Sequence, residues 1–304
     1  MKPLRHQVRP LMLCGLLGGF LIACGQASPP GSTPDKAPTL KAALTGLSSS
    51  GLRYNGVWIK SSTPNRLITG WTQADFVAEN ARLAAQGYAI TNLNAVTLPG
   101  DQIRYNAIWQ HGPSTDRRWV AGWSSSDFWK KYSDLNAQGY CLKVFNAFTN
   151  SAQSDFWYNA IWTRCGVKPS FTPSLEVQFL AGDVAAQAAK GKHLSHLSSR
   201  IQSGRQYHTV LYTPQSAARP WIAGWTQSDL VSEVARLGAQ GYGLSELNAV
   251  SWPGNAVRFD AIWEKSSAAR PVRWNYTPAD FQAEIDKLSA QGYVPINVSA
   301  FVLN

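Results

Sequence analysis

The stretch LAAQGYAITNLNAV, residues 83–96, decides the fold because it is written four times. LNAQGYCLKVFNAF occupies 135–148, LGAQGYGLSELNAV 237–250 and LSAQGYVPINVSAF 288–301. The tyrosines lie about one period apart: Tyr88 to Tyr140 is 52 residues and Tyr242 to Tyr293 is 51. A fixed period near 50 residues marks a repeat architecture.

Two further phrases recur between the copies. One is RYNGVW at Arg53, RYNAIW at Arg104, WYNAIW at Trp157 and RFDAIW at Arg258. The other is TGWTQADF from Thr69, AGWSSSDF from Ala121, AGWTQSDL from Ala223 and WNYTPADF from Trp274. In the latter, Thr72, Ser124, Thr226 and Thr277 occupy helix N-cap positions. Asp75, Asp127, Asp229 and Asp280 follow three residues on, at the positive helix end. Trp71 with Phe76, and its counterparts Trp123/Phe128, Trp225/Leu230 and Tyr276/Phe281, fit the two staple positions around the cap. The stripes Phe76/Asn80/Leu83, Phe128/Tyr132/Leu135, Leu230/Val234/Leu237 and Phe281/Ile285/Leu288 define the buried helix face. Gly87, Gly139, Gly241 and Gly292 then stop each helix, and the following tyrosine opens a strand. AQGY is therefore a structural joint rather than a chemical site.

From the joint, one strand runs to a turn, with LPGDQ at Leu98 and WPGNA at Trp252 expected as Pro-Gly type II turns. RYNAIW returns as its partner, and a shorter apolar run, RRWVAGW or RPWIAGW, leads to the next helix. The unit reads as strand, turn, strand, strand, helix. A diverged third unit spans about 166–219, with AAKGKHLSHL replacing the joint and QYHTVLY replacing RYNAIW. The chain opens on a second hairpin strand and closes on a first one, YVPINVSAFVLN, so the missing halves match. The expectation is an α+β domain of five units over 51–304, a closed propeller-like ring whose last unit the N-terminal strand completes.

The N-terminus is of another kind. MKPLRHQVRP is a basic leader and LMLCGLLGGFLIAC an apolar run too short for a comfortable membrane span. Leu21-Ile22-Ala23-Cys24-Gly25 resembles a bacterial lipobox. That resemblance implies a signal peptide over 1–23, acylation of Cys24 by palmitate-type chains, and an exported protein held at the outer membrane or cell surface. Residues 24–50, rich in Pro, Ser, Gly and Ala, read as a tether reaching roughly 30 Å. Removing Lys2, Arg5 and Arg9 leaves 28 − 3 = 25 basic residues against 18 acidic, a net +7. Such an excess suits anionic glycans, lipid headgroups or nucleic acid, or serves solubility alone.

The combination GWTxxDF, LxAQGYxLxxLNAV and RYNAIW resembles the bacterial tandem-repeat family also found beside polyglycine-hydrolase serine peptidases, from about Leu52 to Leu303. The resemblance implies a repeat platform. The family's companion β-lactamase-like hydrolase is not implied, because Ser-x-x-Lys is absent from the 304 residues. No GxSxG, HExxH or P-loop is present either.

The remaining candidates each carry two readings. Arg53, Arg104 and Arg258, with Arg117 and Arg219, would reach shared rims and meet an anionic partner, or cover tryptophan faces with their stems. Asn94, Asn146 and Asn248 would line a mouth and bind a hydroxyl-rich polymer, or bond backbone at strand bends. His193, His196 and His208 cluster in the diverged unit. Three-residue spacing on a strand puts His193 and His196 on opposite faces, which disfavours a metal. Cys141 and Cys165 are expected to form a disulfide, from a hairpin centred near Gln153 that pairs 141 with 165, 145 with 161 and 149 with 157. Neither a catalytic residue nor a cofactor is assigned, and nucleic acid is not an expected partner because no dense basic stripe or base-stacking motif occurs. The function read from the sequence is a non-catalytic binding or scaffold module. The alternative is a secreted-side hydrolase, peptidase- or esterase-like, using Ser195 or Ser198 with His193 in the diverged unit.

Overall fold

The computed structural model describes residues 51–112, 116–150, 156–268 and 270–303. The signal, Cys24 and the tether lie outside them. The described chain begins with β1 (Leu52–Lys60). The first complete unit follows as β2 (Asn65–Trp71), α1 (Gln73–Ala85), β3 (Tyr88–Leu98) and β4 (Gln102–His111). The second is β5 (Arg117–Trp123), α2 (Ser125–Ala137), β6 (Tyr140–Thr149) and β7 (Phe156–Arg164). The third is β8 (Ser170–Glu176), α3 (Val177–Ala188), β9 (Lys192–Gln202) and β10 (Arg205–Pro214). The fourth is β11 (Trp221–Trp225), α4 (Gln227–Ala239), β12 (Tyr242–Ser251) and β13 (Val257–Lys265). The chain ends with β14 (Val272–Tyr276), α5 (Pro278–Ala290) and β15 (Tyr293–Val302).

Each unit folds as a separate three-stranded antiparallel sheet in the order β2-β4-β3, β5-β7-β6, β8-β10-β9 and β11-β13-β12, and the fifth is β14-β1-β15. The N-terminal strand thus supplies the central strand of the last sheet, running from Leu52 opposite Val302 to Lys60 opposite Tyr293. The short apolar run belongs to the sheet after its helix rather than the one before, so the unit is strand, helix, strand, strand. Backbone pairing reveals no closed sheet or barrel among the described residues.

The joints and caps explain the local folding. Thr72, Ser124, Thr226 and Thr277 each accept a hydrogen bond from the backbone N–H of the aspartate three residues on. The glycine of each joint holds the left-handed region, Gly87 at φ 80° and Gly139 at φ 82°, where a side chain would be strained. The diverged α3 begins at Glu176 with no side-chain cap bond. Trp225, in the staple position of α4, stays 38% exposed, unlike Trp71 at 6%.

The core is divided into five clusters, and each crosses from one unit to the next. Phe76, Leu83, Tyr105 and Trp109 of the first unit pack with Ala121, Phe148 and Ile161 of the second. Phe128 and Trp162 meet Leu211, and Tyr212 meets Ile262. Trp263 shares a cluster with Val57 and Phe301, and Trp58 and Phe281 share one with Val96 and Ile108 of the first unit. A single unit cannot bury its apolar face alone, and its neighbour supplies the other wall.

Two irregularities recur. A bulge interrupts each inner–central strand pair, between Ile90 and Asn92, Leu142 and Val144, and Leu244 and Glu246. The extra residue often caps the break: the hydroxyls of Thr91, Ser195 and Ser245 donate to the carbonyls of Ile108, Leu211 and Ile262. The hairpin turns hold two successive residues at positive φ, Gly100 with Asp101 and Gly254 with Asn255. A type II turn has one such residue, so these are not the turns expected from Pro-Gly.

Candidate functional site

The inner strands β3, β6, β9, β12 and β15 are bound to one another by side chains. Asn94 Oδ1 accepts from Ala300 N (3.1 Å) and Asn146 Oδ1 from Ala95 N (2.9 Å). His196 Nε2 donates to the Phe145 carbonyl (2.6 Å). Glu246 Oε2 accepts from Leu197 N (3.3 Å) and Asn297 Oδ1 from Leu247 N (3.1 Å). The links therefore run β3 to β6, β6 to β9, β9 to β12, β12 to β15 and β15 to β3.

Beyond these links, toward the hairpin turns, the same five strands enclose a cavity of about 350 Å³. Its wall takes the equivalent segment from each: 94–99, 146–150, 198–201, 248–251 and 300–302. Asn94, Asn146 and Asn248 all reach this wall. Their amides are also engaged: Asn94 and Asn146 accept from the side chains of Asn106 and Asn159 as well as from backbone, and Asn248 Nδ2 donates to Leu197 O and Glu246. The asparagines of the RYNAIW phrase turn the other way. Asn55, Asn106 and Asn159, with Asp260, each accept a backbone N–H from the positive-φ residue before a helix: Asn275, Gly70, Gly122 and Gly224.

The structure separates the arginines. Arg53, Arg104 and Arg258 stand on central strands opposite Phe301, Val96 and Val250, which line the cavity. Each donates to the carbonyl of the residue before it. Arg117 and Arg219 lie at the opposite ends of the sheets, where Arg117 donates to Ile90 O and Arg219 pairs with Glu264. The five do not form one rim.

The histidines of the diverged unit are also dispersed. His193 is half-buried opposite Thr213, His196 is buried on the inner strand, and His208 is fully buried on the central strand. Among the described residues, no three His, Cys, Asp or Glu side chains converge as metal ligands. His196 Nδ1 lies 2.6 Å from Glu246 Oε1. Burial opposes the imidazolium, but the charge and hydrogen bond of Glu246 and the Phe145 carbonyl outweigh it, and the pKa is raised. His208 Nε2 lies 3.2 Å from Asp260 Oδ1, with both side chains at 0% exposure. By register, His208 stands where Tyr105 and Tyr158 stand in the first two units. The third and fourth units are thus joined by two buried His–carboxylate pairs. The aspartate of RFDAIW was the visible signal of the second pair. Neither serine forms a nucleophile–base pair with His193: Ser195 Oγ donates to Leu211 O, and Ser198 Oγ to Phe145 O (2.9 Å).

Cys141 and Cys165 form the disulfide, with Cα atoms 5.8 Å apart. The register differs from the expectation. Cys141 opposes Thr163, Phe145 opposes Ala160 and Thr149 opposes Phe156, so Cys165 lies just past the end of β7, where its N–H reaches Gly139 O. The hairpin is already offset by one residue at Thr149 and Phe156, and the bulge between Leu142 and Val144 adds a second.

Arg200 and Ser199 are the cavity residues that motif reading missed. Both lie in the diverged unit, where no neighbouring phrase gave a register. Arg200 is 9% exposed, and burial lowers its pKa.

The family model for the polyglycine hydrolase-like structural repeat matches residues 66–112, 119–164, 221–266 and 267–303. The gap between the second and third matches is the diverged unit, and the last match lacks the strand that β1 provides. No curated protein matches the chain.

Proposed function

Because the chain belongs to the polyglycine hydrolase-like structural-repeat family, we propose that it is a non-catalytic binding or scaffold module of the bacterial envelope. In this reading the five sheets make a closed, propeller-like ring. Cys24 carries lipid, residues 24–50 tether the ring, and the ligand is an anionic surface polymer or envelope protein. The observation that carries the reading is the cavity to which all five inner strands contribute the same segment. Ligand sites favour such concave junctions. The side-chain links from β15 to β3 and the fifth apolar cluster support ring closure.

Biolayer interferometry of residues 51–304 on immobilised uronate-bearing, phosphate-bearing and neutral envelope polysaccharides tests the module. Capture of an anionic polymer over the neutral one supports it. Capture of none, together with labelling of a serine by a fluorophosphonate probe, would replace it with the hydrolase. Metabolic labelling with a clickable palmitate tests the anchor: Cys24→Ala must abolish the tag.

A further inference from the structure

We propose that the cavity side of the third and fourth units is a membrane-contact surface, where Val177, Phe179 and Trp225 enter the interface of a lipid bilayer. The inference adds a contact made by the folded domain itself, and only the choice of a bilayer as occupant rests on the anchored reading above.

Among the described residues the exposed large apolar side chains are Val167, Val177, Phe179, Trp225 and Val231, all in the third and fourth units. Two of them stand where other units are polar. The other helices carry aspartate at their third position, Asp75, Asp127, Asp229 and Asp280, and α1 and α4 open on Gln73 and Gln227. In α3 these positions hold Phe179 and Val177, 58% and 46% exposed, and the cap before them makes no side-chain bond. Losing a cap and exposing apolar surface both destabilise the free domain, and covering the surface reverses the second effect. Trp225 adjoins Val177 across the seam between units. A side chain added at Gly224, the residue before it, would meet Val177 Cγ2 at 3.8 Å.

The register puts these residues on the cavity side. Glu176, which precedes α3, opposes Tyr207, and Tyr207 opposes Arg200. Trp225 opposes Phe259, and Phe259 opposes Ala249. Arg200 and Ala249 belong to the cavity wall. Side chains in the first turn of a helix lean toward its N-terminus, so Val177 and Phe179 lean to this side. Val167 lies at the other end of its sheet, two residues past Cys165, whose N–H reaches Gly139 O of the joint.

The point at which the chain leaves the domain indicates the occupant. Leu52 opposes Val302, a further cavity residue, and Gly51 O accepts from Leu303 N (2.9 Å), so residues 24–50 depart from the same side. A tether reaching roughly 30 Å from an acylated Cys24 keeps that side next to the bilayer. Tryptophan and phenylalanine suit the boundary between headgroups and acyl chains. Arg53, Arg104 and Arg258 stand on the same side, but the four cap aspartates offset them, so apolar insertion rather than net charge carries the contact.

The test is flotation of residues 25–304, which lack Cys24 and so carry no lipid, with vesicles of phosphatidylethanolamine and phosphatidylglycerol. The wild type is compared with the double variant Val177→Gln, Phe179→Asp, with Trp225→Gln and with Val167→Gln. Gln and Asp are the residues α1 and α4 carry at those positions, so the double variant keeps the fold, and a thermal melt no lower than that of wild type verifies it; Trp225→Gln gives a second reading at an exposed site. Wild-type flotation that falls at least tenfold in the double variant, falls in Trp225→Gln and is unchanged in Val167→Gln supports the surface, since burying two apolar side chains contributes more than that factor. Absence of wild-type flotation overturns the proposal. So does flotation unchanged in the double variant, or lowered as much by Val167→Gln. A wild-type dimer in size-exclusion chromatography that the double variant turns into a monomer assigns the patch to a second copy and also overturns it. If Cys24 is labelled but the unlipidated protein does not float, this inference falls and the anchor stands; if flotation occurs without labelling of Cys24, the anchor falls and the surface stands.

Discussion

Removing β1 tests how far the last sheet depends on the first strand. A protein beginning at residue 61 leaves β14 and β15 without the central strand that pairs with both. Leu52, Tyr54, Val57 and Trp58 are all at 0% exposure. At about 1.5–3 kcal/mol for each buried side chain, their loss removes about 6–12 kcal/mol before any backbone hydrogen bond is considered. Whole domains are stable by about 5–15 kcal/mol. The truncated protein should therefore lose its cooperative transition in thermal circular dichroism and bind a hydrophobic dye at room temperature. A synthetic peptide of residues 51–60 should restore part of the transition. For a domain of this size about 1 kcal/mol shifts the midpoint by about 2–4 °C. A truncated protein that melts cooperatively within about 5 °C of the parent would refute the reasoning.

Three further outcomes follow from particular contacts. Reducing Cys141–Cys165, or replacing both with serine, should cost about 3 kcal/mol on a 24-residue separation, read as a lower urea midpoint; an unchanged midpoint denies the crosslink a stabilising role. The folded pKa of His196 is raised, so its pairing stabilises fully below the unfolded value near 6.5 and is lost as pH rises through the folded value. The midpoint advantage of wild type over the double variant His196→Asn, Glu246→Asn should thus be larger at about pH 5.5 than at about pH 9, and an advantage that grows with pH contradicts the pair. Thr226→Ala removes the hydroxyl that accepts from Asp229 N and should cost about 1 kcal/mol in chemical denaturation, whereas Glu176→Ala, which removes no capping bond and only surface contacts with Arg205 and Gln178, should cost clearly less.

The features legible in the sequence were those set by neighbours along the chain. Thr72 and Asp75 are three residues apart, Gly87 needs only its own φ, and each repeat restates the same choice. The half-hairpins at the two ends were legible because a strand without a partner is a visible deficit. What escaped were properties set across strands. A one-residue offset at the turn and the bulge after Leu142 together move Cys165 out of direct opposition to Cys141, yet no residue between them announces either. The outer strand adjoins one hairpin in sequence but pairs with the next, because the intervening helix returns the chain. In the cavity, Asn94 and Asn146 were legible as candidates because they repeat. Arg200 was not, because its meaning lies in its difference from Val96 and Val250, and that difference needs the ladder to align it. His208 escaped for the same reason: one residue of slip set Tyr207 against the tyrosine column.

The central place of β1 in the fifth sheet also constrains the order in which the sheets can form. Val57 and Val272, the pair nearest in sequence between β1 and its two neighbours, are 272 − 57 = 215 residues apart. β1 must wait for β14 and β15, while the four sheets between them need only local partners. Closing so long a loop costs entropy before any contact repays it, so the fifth sheet is the late, slow step. Until then β1 presents two unpaired edges and Trp58 a bare ring. A circular permutant that begins at residue 62, with the old ends joined, would place β14, β15 and β1 consecutively in the chain, turning the longest-range pairing into a short one and removing the wait.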